Sequence, residues 1–518
     1  MSRLRIFAKN AVMLSAVALL MKAVGVVFNA YAANIIGAEG MGLFSLVMSV
    51  FAFGVTLSTS GINLAVTRLV SEELAMGREA GAVKAVGKCV AYAMTFGAVT
   101  SVVLFISAPA LAEKAIGDGR MTMSLRALSA SLPFIALSNV LSGYFYAVRR
   151  VFKSASSNVL EQFIKIVVTV TLLMTVAPRG TEYACMALVV GTSVSEGLSF
   201  SYLLVFYLLD KKKHLNMNTP YPSAAEISRR MFSISVPIAL SAYLRSGLVT
   251  LEHILIPRGL KKFGADYSSS LAAYGTVSGM ALPVLLFPSA FCSTFAGLII
   301  PEMSELRAKS GGARDTAEIK YIVRRSCGAA LIFGIGTAGI FLSFARPLGE
   351  LIYHSSEAGY FIAVIAPLVP VMYLDTTADG MLKGLGEQLY AMWVNILDAS
   401  MSVALVYLLL PRAGIMGYVA CLFITEMVNC ALSLGRLLFV TGAKINILRR
   451  VAAPVFCISG ACAASRILIL PLALSAVAET VVGIILSLLL YVLFLSATGT
   501  LGAEQFSWMK KIFALQNS

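Results

Sequence analysis

Charged side chains are scarce in this chain of 518 residues: Asp, Glu, Lys and Arg together make up 13% of it. A soluble protein of average composition carries about twice that fraction, so a water-soluble globular fold is excluded. Hydrophobic residues make up 58%, and the mean hydropathy is +0.85. Apolar runs of about 20 residues are typical of transmembrane helices. The composition therefore predicts an all-α polytopic membrane protein.

The sequence also lacks the motifs of nucleotide and metal chemistry. It contains no GxxxxGK[ST] motif, so ATP is not the expected direct energy source. The three histidines form neither an HExxH nor a Cys/His pattern, and the eight cysteines show no CxxC spacing. We expect no metal centre and no cofactor, and we interpret the cysteines as small buried apolar residues, not as disulfides or ligands.

Basic residues outnumber acidic ones, and the formal net charge is +15. With the N-terminus inside, most Lys and Arg fall in the predicted cytoplasmic segments, which is the asymmetry of the positive-inside rule. We therefore predict a plasma-membrane protein with both termini cytoplasmic, and no nucleic-acid partner. The apolar N-terminal segment is predicted to be the first span, with a cleaved signal peptide as the alternative.

About fourteen apolar segments are long enough to cross a membrane. The predicted segments are 10–34, 42–65, 89–112, 124–147, 157–177, 183–209, 231–256, 271–299, 326–346, 358–380, 389–410, 415–439, 450–470 and 473–497.

The second half of the chain repeats the first at an offset of about 230 residues, because punctuating residues match in order. The matched pairs include Pro133 and Pro370, Gly143 and Gly380, Glu161 and Asp398, Glu196 and Glu426, and Glu72 and Glu302. Each unit contains six helices, an even number, so both copies enter the membrane from the same side. We predict two six-helix lobes at 1–220 and 221–445, followed by two further helices and a short cytoplasmic tail at 446–518.

Lys22 and Arg245 are lone cations near the middle of long apolar segments, at matching places in the duplication. A charge at mid-bilayer costs about 3–17 kcal/mol, so such residues normally face a wet cavity. Lys and Arg both bind phosphate oxygens well, so the pair predicts a site for a phosphate-bearing substrate, with Arg68 as a third contact. The alternatives are an interhelical ion pair for Lys22 and a basic membrane anchor for Arg68.

Oxygen-bearing side chains also recur on the seventh, eleventh and twelfth predicted spans. They are Glu252, Asn395, Asp398, Thr425 and Glu426. Such groups inside a helix bundle can hold Na⁺ or carry H⁺, so they are the candidate ion-coupling residues. Because Glu161 and Glu196 repeat part of this pattern in the first half, a shared structural role stays open.

Two runs of sequence resemble a known group of transporters. They are GAEGMGLFSLVMSVFAFGVTLSTSGINLAVTRLVSEELAMG and GLGEQLYAMWVNILDASMSVALVYLLLPRAGIMGYVA. With fourteen helices in a six-plus-six-plus-two plan, the chain resembles the polysaccharide transporter branch of the multidrug/oligosaccharidyl-lipid/polysaccharide (MOP) flippase superfamily. Within that branch, the resemblance is strongest to the stage V sporulation protein B family.

The resemblance implies a flippase that moves undecaprenyl-diphosphate-linked saccharides from the inner to the outer leaflet, with the lipid-linked peptidoglycan precursor as the expected cargo. Relatives of the lipid II flippase type carry basic residues on the first, second and eighth helices of a central cavity. Lys22 matches the first of these positions and Arg68 loosely the second, whereas Arg245 lies on the seventh helix and departs from the pattern.

The same relatives use an acidic residue on the seventh helix and Asn or Asp on the eleventh for Na⁺. Glu252, Asn395 and Asp398 approximate that set. Their two additional helices form a groove for the lipid tail, which spans 13 and 14 are expected to do here. The implied partners are the lipid-linked saccharide, membrane lipids and cell-wall synthesis proteins.

Two other functions are alternatives to this prediction. A cation-coupled multidrug antiporter of the same superfamily is the first, although two embedded cations would repel cationic drugs. A membrane glycosyltransferase using the same lipid donor is the second, but such enzymes place catalytic acids or large loops outside the membrane. The predicted external loops here are short, so we expect a transporter and not an enzyme.

Overall fold

The structure, a computed structural model, describes residues 3–59, 61–214, 219, 222–264, 266–444, 447–472 and 475–500. Within these ranges the chain is mostly helical and has no β-strand. Helices suit a membrane because each one satisfies its own backbone N–H and C=O groups where no water is available. The predicted all-α class is confirmed.

The α-helices of the described ranges are numbered in chain order. They are α1 (Arg3–Thr59), α2 (Ile62–Ala75), α3 (Glu79–Ala110), α4 (Thr122–Ser129), α5 (Leu132–Ala147), α6 (Val151–Val176), α7 (Thr181–His214), α8 (Ala224–Phe263), α9 (Tyr267–Tyr274), α10 (Leu282–Leu286), α11 (Ser289–Lys309), α12 (Ala317–Tyr353), α13 (Ser356–Ile365), α14 (Val369–Gly384), α15 (Gln388–Thr441), α16 (Ile447–Ile469) and α17 (Ala476–Ala497). Short π-helical turns occur at Leu111–Ile116 and Gly275–Ala281.

Twelve helical stretches in the described ranges are long and apolar enough to cross a membrane. Leu19–Ala75 overlaps the predicted segments 10–34 and 42–65, and Gln388–Thr441 contains the predicted segments 389–410 and 415–439. A helix of that length extends about 80 Å, far more than a hydrocarbon core of about 30 Å. Each is interrupted by a glycine with positive φ, Gly37 (φ 72°) and Gly414 (φ 59°). Division at these glycines would give fourteen crossings, and that number stays a prediction.

The chain forms two compact units. The first comprises Met1–Asn34 and Thr276–Ser518, and the second comprises Ile35–Gly275. The second unit therefore holds α8 and α9 in addition to α2–α7. The predicted lobes at 1–220 and 221–445 were defined by the sequence repeat, and as repeat boundaries they stay a prediction.

The core of the Ile35–Gly275 unit lies among α2, α3, α5, α7 and α8. Buried residues such as Leu69, Tyr144, Tyr207 and Ile227 form it. In a membrane, helices associate mainly through van der Waals packing, which small residues improve by letting backbones approach closely. Gly97 does this here: a methyl group at its Cα would lie 3.0 Å from Pro133 Cα.

The core of the Met1–Asn34 and Thr276–Ser518 unit is arranged around α12. Three glycines of this helix face three different neighbours. A methyl group added at Gly334, Gly336 or Gly339 would lie 2.7 Å from Pro370 Cα, 2.5 Å from the Tyr491 ring or 2.3 Å from Ile458 Cγ1, respectively. The additional helices α16 and α17 thus approach α12 so closely that a residue larger than glycine at these positions would clash.

The loops after α5 and after α14 have the same backbone conformation, which supports the predicted duplication. Each turns at a residue with positive φ, Arg149 (59°) in the first copy and Gly386 (76°) in the second. The matching hydrogen bonds are Val148 N–H to Tyr144 O (3.0 Å) and Leu385 N–H to Met381 O (2.9 Å), and Arg150 N–H to Phe145 O and Glu387 N–H to Leu382 O (both 2.9 Å).

The next residue of each loop makes an ion pair, with the charges reversed between the copies. Arg150 pairs with Asp210, whereas Glu387 pairs with Arg436 at 2.8 Å and with Arg314. Burial alone would raise the pKa of Glu387, but the hydrogen bonds and charges of Arg436 and Arg314 outweigh it and lower that pKa below its ordinary value. The duplication has preserved the backbone and the pairing, but not the sign.

The contact between Gly334 and Pro370 gives the first testable prediction. We expect Gly334→Ala to lower the free energy of unfolding by about 1–3 kcal/mol, because the new methyl group meets a proline backbone that cannot move aside. Thermal unfolding of the purified protein in detergent measures the effect. Gly435→Ala is the matched control: its added methyl group meets no atom within 4 Å, so it should be neutral or slightly stabilising. Equal melting temperatures for the two variants would contradict the prediction.

Candidate functional site

Lys22 lies on α1 with its side chain exposed. Among the described residues it makes no hydrogen bond or ion pair. At 100° per residue, it lies about 140–160° around the helix from Leu20 and Val27, two strongly exposed apolar residues. Asn29 lies within about 20° of Lys22 and donates to the Gly279 carbonyl at 3.0 Å. The two faces of this helix therefore differ in polarity, and Lys22 lies on the polar one.

Arg245 lies on α8, is also exposed, and has no hydrogen-bond or ion-pair partner in the described part of the chain. The opposite face of α8 packs against α1, because Tyr243 Oη donates to Leu57 O and Thr250 Oγ1 donates to Ser49 O, both at 3.0 Å. Gly247 between them meets the ring of Phe53. The side chain of Arg245 therefore lies on the face of α8 that points away from α1. It belongs to the second compact unit, whereas Lys22 belongs to the first.

Arg68, unlike Lys22 and Arg245, has an ion-pair partner among the described residues. Its Nε lies 2.8 Å from Glu72 Oε1, one helical turn away, and both groups are at least partly exposed. Arg230 of α8 pairs with the same Glu72 and, at 2.8 Å, with Glu73, which is only 1% exposed. This network favours the alternative of a basic anchor for Arg68. The sequence did not predict a role for Arg230. The pair of Arg68 and Glu72 could have been predicted, because residues at i and i+4 are neighbours on a helix.

The proposed ion-coupling residues divide between the two units. Asp398 and Glu426 lie in the first unit, within electrostatic range of each other and of Asp375. Asn395 donates its amide to the Ala391 carbonyl of its own helix at 2.7 Å. Glu252 is buried in the second unit.

Asp375, on α14, is the acidic residue that the sequence did not predict. Its Oδ2 accepts a hydrogen bond from Asn429 at 3.3 Å. The charge of Lys383 also reaches it, but Lys383 is paired with Asp379 at 2.5 Å. The carboxyl groups of Asp375, Asp398 and Glu426 therefore lie within electrostatic range of one another, and we call them the second-half acid cluster.

The matching place in the first half is neutralised. Glu161 and Glu196 interact there with Lys165, and all three residues are half-buried. The duplication aligns Lys165 with Ser402 and Asp375 with Ser138. The first half thus has one lysine for two acids, whereas the second half has replaced that lysine and added an acid. The acidic residues are therefore distributed unequally between the two halves.

An apolar cavity of 520 Å³ lies among α12, α14, α15 and α16 in the first unit. Its volume falls in the range of about 300–1,000 Å³ typical of ligand sites. The lining residues are Leu331, Ile335, Ala338, Gly339, Leu342, Pro367, Pro370, Val371, Leu374, Met427, Cys430, Ala431, Leu434, Val451, Val455, Ile458 and Ser459. All but one of these side chains lack a polar oxygen or nitrogen, so the cavity suits a hydrocarbon chain.

The family model described as polysaccharide biosynthesis protein matches residues 7–307, more than half of the chain. The chain belongs to this family.

The chain is 27% identical over 432 residues to stage V sporulation protein B of Bacillus subtilis (strain 168), across 82% of this chain and 81% of that protein. Its fold is similar to that of the lipid II flippase MurJ in an inward closed conformation, with a TM-score of 0.70 and 11% identity, covering 94% of this chain and 99% of that one. It is also similar to an inward-facing multidrug resistance transporter of the MATE family, with a TM-score of 0.61 and 14% identity, over 82% and 98% of the two chains.

These findings confirm the predicted membership of the MOP superfamily and the predicted multi-pass membrane character of the chain. All eight cysteines are buried and outside disulfides, which agrees with their interpretation as small buried apolar residues. The identities of the structural relatives are low enough that those similarities show the fold alone. The roles of Lys22, Arg245, Arg68 and the acidic residues remain predictions.

The ion network around Arg230 predicts a difference between two arginines. We expect Arg230→Gln to cost about 3–5 kcal/mol of stability, because it leaves the buried Glu73 without its partner. Arg68→Gln is the control and should cost less than about 1 kcal/mol, since it breaks only a surface pair. Chemical or thermal unfolding in detergent measures both. A larger loss for Arg68→Gln than for Arg230→Gln would contradict this assignment.

Proposed function

We propose that this protein is a flippase that moves an undecaprenyl-diphosphate-linked saccharide from the inner to the outer leaflet by alternating access. The observation that carries the proposal is the state of Lys22 and Arg245. Both are exposed cations on apolar helices, and neither has an ion-pair partner among the described residues. The family, and a relative named as a sporulation protein, support a role in cell-envelope synthesis. The lipid-linked peptidoglycan precursor is the proposed cargo.

The physical argument for an anionic substrate rests on the cost of the two cations. Holding either of them in hydrocarbon is unfavourable unless water or an opposite charge is at hand. A diphosphate supplies two acceptor groups, and its attraction to Lys or Arg is stronger in a cavity of low dielectric constant than at a protein surface. Lys22 and Arg245, at matching places in the two repeats, are the proposed head-group contacts.

The apolar cavity among α12, α14, α15 and α16 supports a lipid-linked cargo. An isoprenoid tail is entirely hydrocarbon, and burying it in an apolar cavity costs no hydrogen bonds. We propose that part of the tail occupies this cavity while the saccharide crosses. This is the role expected for the two additional helices, since α16 forms one wall of the cavity.

The driving force in this proposal is a gradient of Na⁺ or H⁺. Asp398 and Glu426, joined by Asp375, are the proposed coupling residues of the first unit, with Asn395 beside them and Glu252 in the second unit. A cation or proton at the cluster relieves the repulsion among its carboxylates. Both termini are proposed to lie in the cytoplasm, and the protein is proposed to act as a transporter beside cell-wall synthesis proteins and not as an enzyme.

A cation-coupled multidrug antiporter is the alternative function, and two observations favour it. The fold is similar to that of a MATE family transporter, and the second-half acid cluster would attract a cationic drug. The exposed Lys22 and Arg245 argue against it, because they would repel such a drug. Drug-resistance profiles of an overexpressing strain separate the two functions.

The cationic site predicts a loss of flipping in a double variant. In proteoliposomes, we expect Lys22→Gln with Arg245→Gln to lower the flipping rate of a lipid-linked saccharide at least about tenfold, equivalent to about 1.4 kcal/mol. The rate is measured as the saccharide becomes accessible to an impermeant enzyme outside. Lys22→Arg should retain activity, and Lys88→Gln, which removes another exposed cation in a membrane helix, is the control. A double variant that flips at the wild-type rate removes this mechanism.

The acid cluster predicts which carboxylates couple transport to an ion. We expect Asp375→Asn and Asp398→Asn to abolish the response of the flipping rate to an imposed Na⁺ or pH gradient, because each removes a carboxylate that attracts the cation. The matched controls are Glu161→Gln and Glu196→Gln in the first half, which should keep the response. Gradient-dependent flipping in the Asp375→Asn and Asp398→Asn variants would show that the ion binds elsewhere.

A further inference from the structure

A second cavity, of 460 Å³, lies in the first unit where α12 ends and the turn from α16 to α17 begins. Three candidate membrane spans end or start here, at Tyr353, Leu472 and Ala476. The cavity therefore lies at the level where a membrane meets water, on the predicted outer side. Unlike the apolar cavity, it is lined by charged residues of both signs, Glu350, Arg466 and Glu479, together with His354.

Proline fixes the position of the arginine in this cavity. Pro347 has no N–H, so it cannot donate to the carbonyl of Ser343 one turn earlier, and α12 departs from helical geometry at Phe344 (φ −114°, ψ 16°). The guanidinium of Arg466 donates to that vacant carbonyl. An arginine has five N–H donors, so most of those on Arg466 remain for a ligand in the cavity. The bend in α12 thus produces a preformed anion-binding group.

A carboxylate faces the same cavity from the other helix. The side chain of Glu479, in the first turn of α17, makes no hydrogen bond or ion pair with any described residue. Glu350 is already engaged by Arg346 at 2.9 Å. The cavity therefore offers one available cation and one available anion. A ligand that matches them carries a phosphate and a positively charged group close together.

The surroundings of the cavity are apolar. Exposed residues next to it include Ile467, Leu470 and Val477, of which Leu470 is 81% exposed. Such residues at the end of membrane helices lie against acyl chains. The partner that fits a zwitterionic cavity inside an apolar rim is a lipid.

We infer that this cavity binds the head group of an aminophospholipid of the phosphatidylethanolamine type, with the phosphate on Arg466 and the ammonium on Glu479. A primary ammonium donates hydrogen bonds to a carboxylate, whereas the trimethylammonium of phosphatidylcholine cannot. Phosphatidylglycerol has no cation for Glu479 and carries a net negative charge into a cavity with two carboxylates. The inferred order of affinity is therefore phosphatidylethanolamine above the other two lipids. The inference stands independently of the transported cargo.

Native mass spectrometry of the full-length protein in detergent, titrated with the three lipids at matched acyl chains, tests the inference. We expect phosphatidylethanolamine to bind at least about tenfold more tightly than phosphatidylcholine. Glu479→Gln should abolish that preference, and Arg466→Gln should weaken binding of phosphatidylethanolamine at least about tenfold. Arg412→Gln, which removes an exposed arginine outside the cavity, should leave binding unchanged.

Because Arg466 also contacts α12, the Glu479→Gln variant decides the case if Arg466→Gln fails to fold. A wild-type protein that binds the three lipids equally overturns the inference. So does a Glu479→Gln variant that keeps the full preference for phosphatidylethanolamine. Free phosphoethanolamine is the remaining arm: binding as tight as that of the lipid would overturn the lipid assignment and show a site for a soluble phosphate ester.

Discussion

The free energy of a charge in hydrocarbon is the constraint on which the rest of this structure depends. An ion at mid-bilayer must meet a partner or water, or it costs about 3–17 kcal/mol. Lys165 on α6 meets this demand by interacting with the carboxylates of Glu161 and Glu196. Lys22 and Arg245 are exceptions within the described structure. Under the proposed function, the diphosphate of the substrate supplies the opposite charge for both.

The fold could be predicted from the sequence because run length and hydrophobicity alone decide whether a helix can cross a membrane. In two places, a pair of predicted segments forms one continuous helical stretch, with Gly37 or Gly414 between the two segments. At both, one residue with positive φ redirects the chain while the helix resumes at once, so no loop separates the two halves. The sequence indicated a boundary there through its composition, but only the backbone shows how short that boundary is.

The residues of the candidate site were harder to predict from the sequence than the fold. Comparison of the two repeats points to a residue only where both repeats have the same type of side chain. Asp398 and Glu426 have acidic counterparts and were predicted, whereas Asp375 aligns with Ser138 and gave no signal. The pairing of Arg230 with Glu73 joins residues far apart in the chain, and no local spacing marks it. Comparison of the two repeats therefore cannot predict a functional residue that only one repeat contains. An ion site confined to one half has to arise from such a residue.

Helix α16 explains why the additional pair of helices changes what the duplicated scaffold can bind. Ile458 packs against Gly339 of α12 and forms part of the apolar cavity. Arg466 lies eight residues later, about 12 Å along the same helix, and enters the charged cavity. Because α12 presents Gly339 and then the Ser343 carbonyl that accepts from Arg466, it matches this change from apolar to polar. In our two proposals, one helix pair thus offers successive environments for a hydrocarbon chain and for a phosphate, the two chemical parts of a phospholipid.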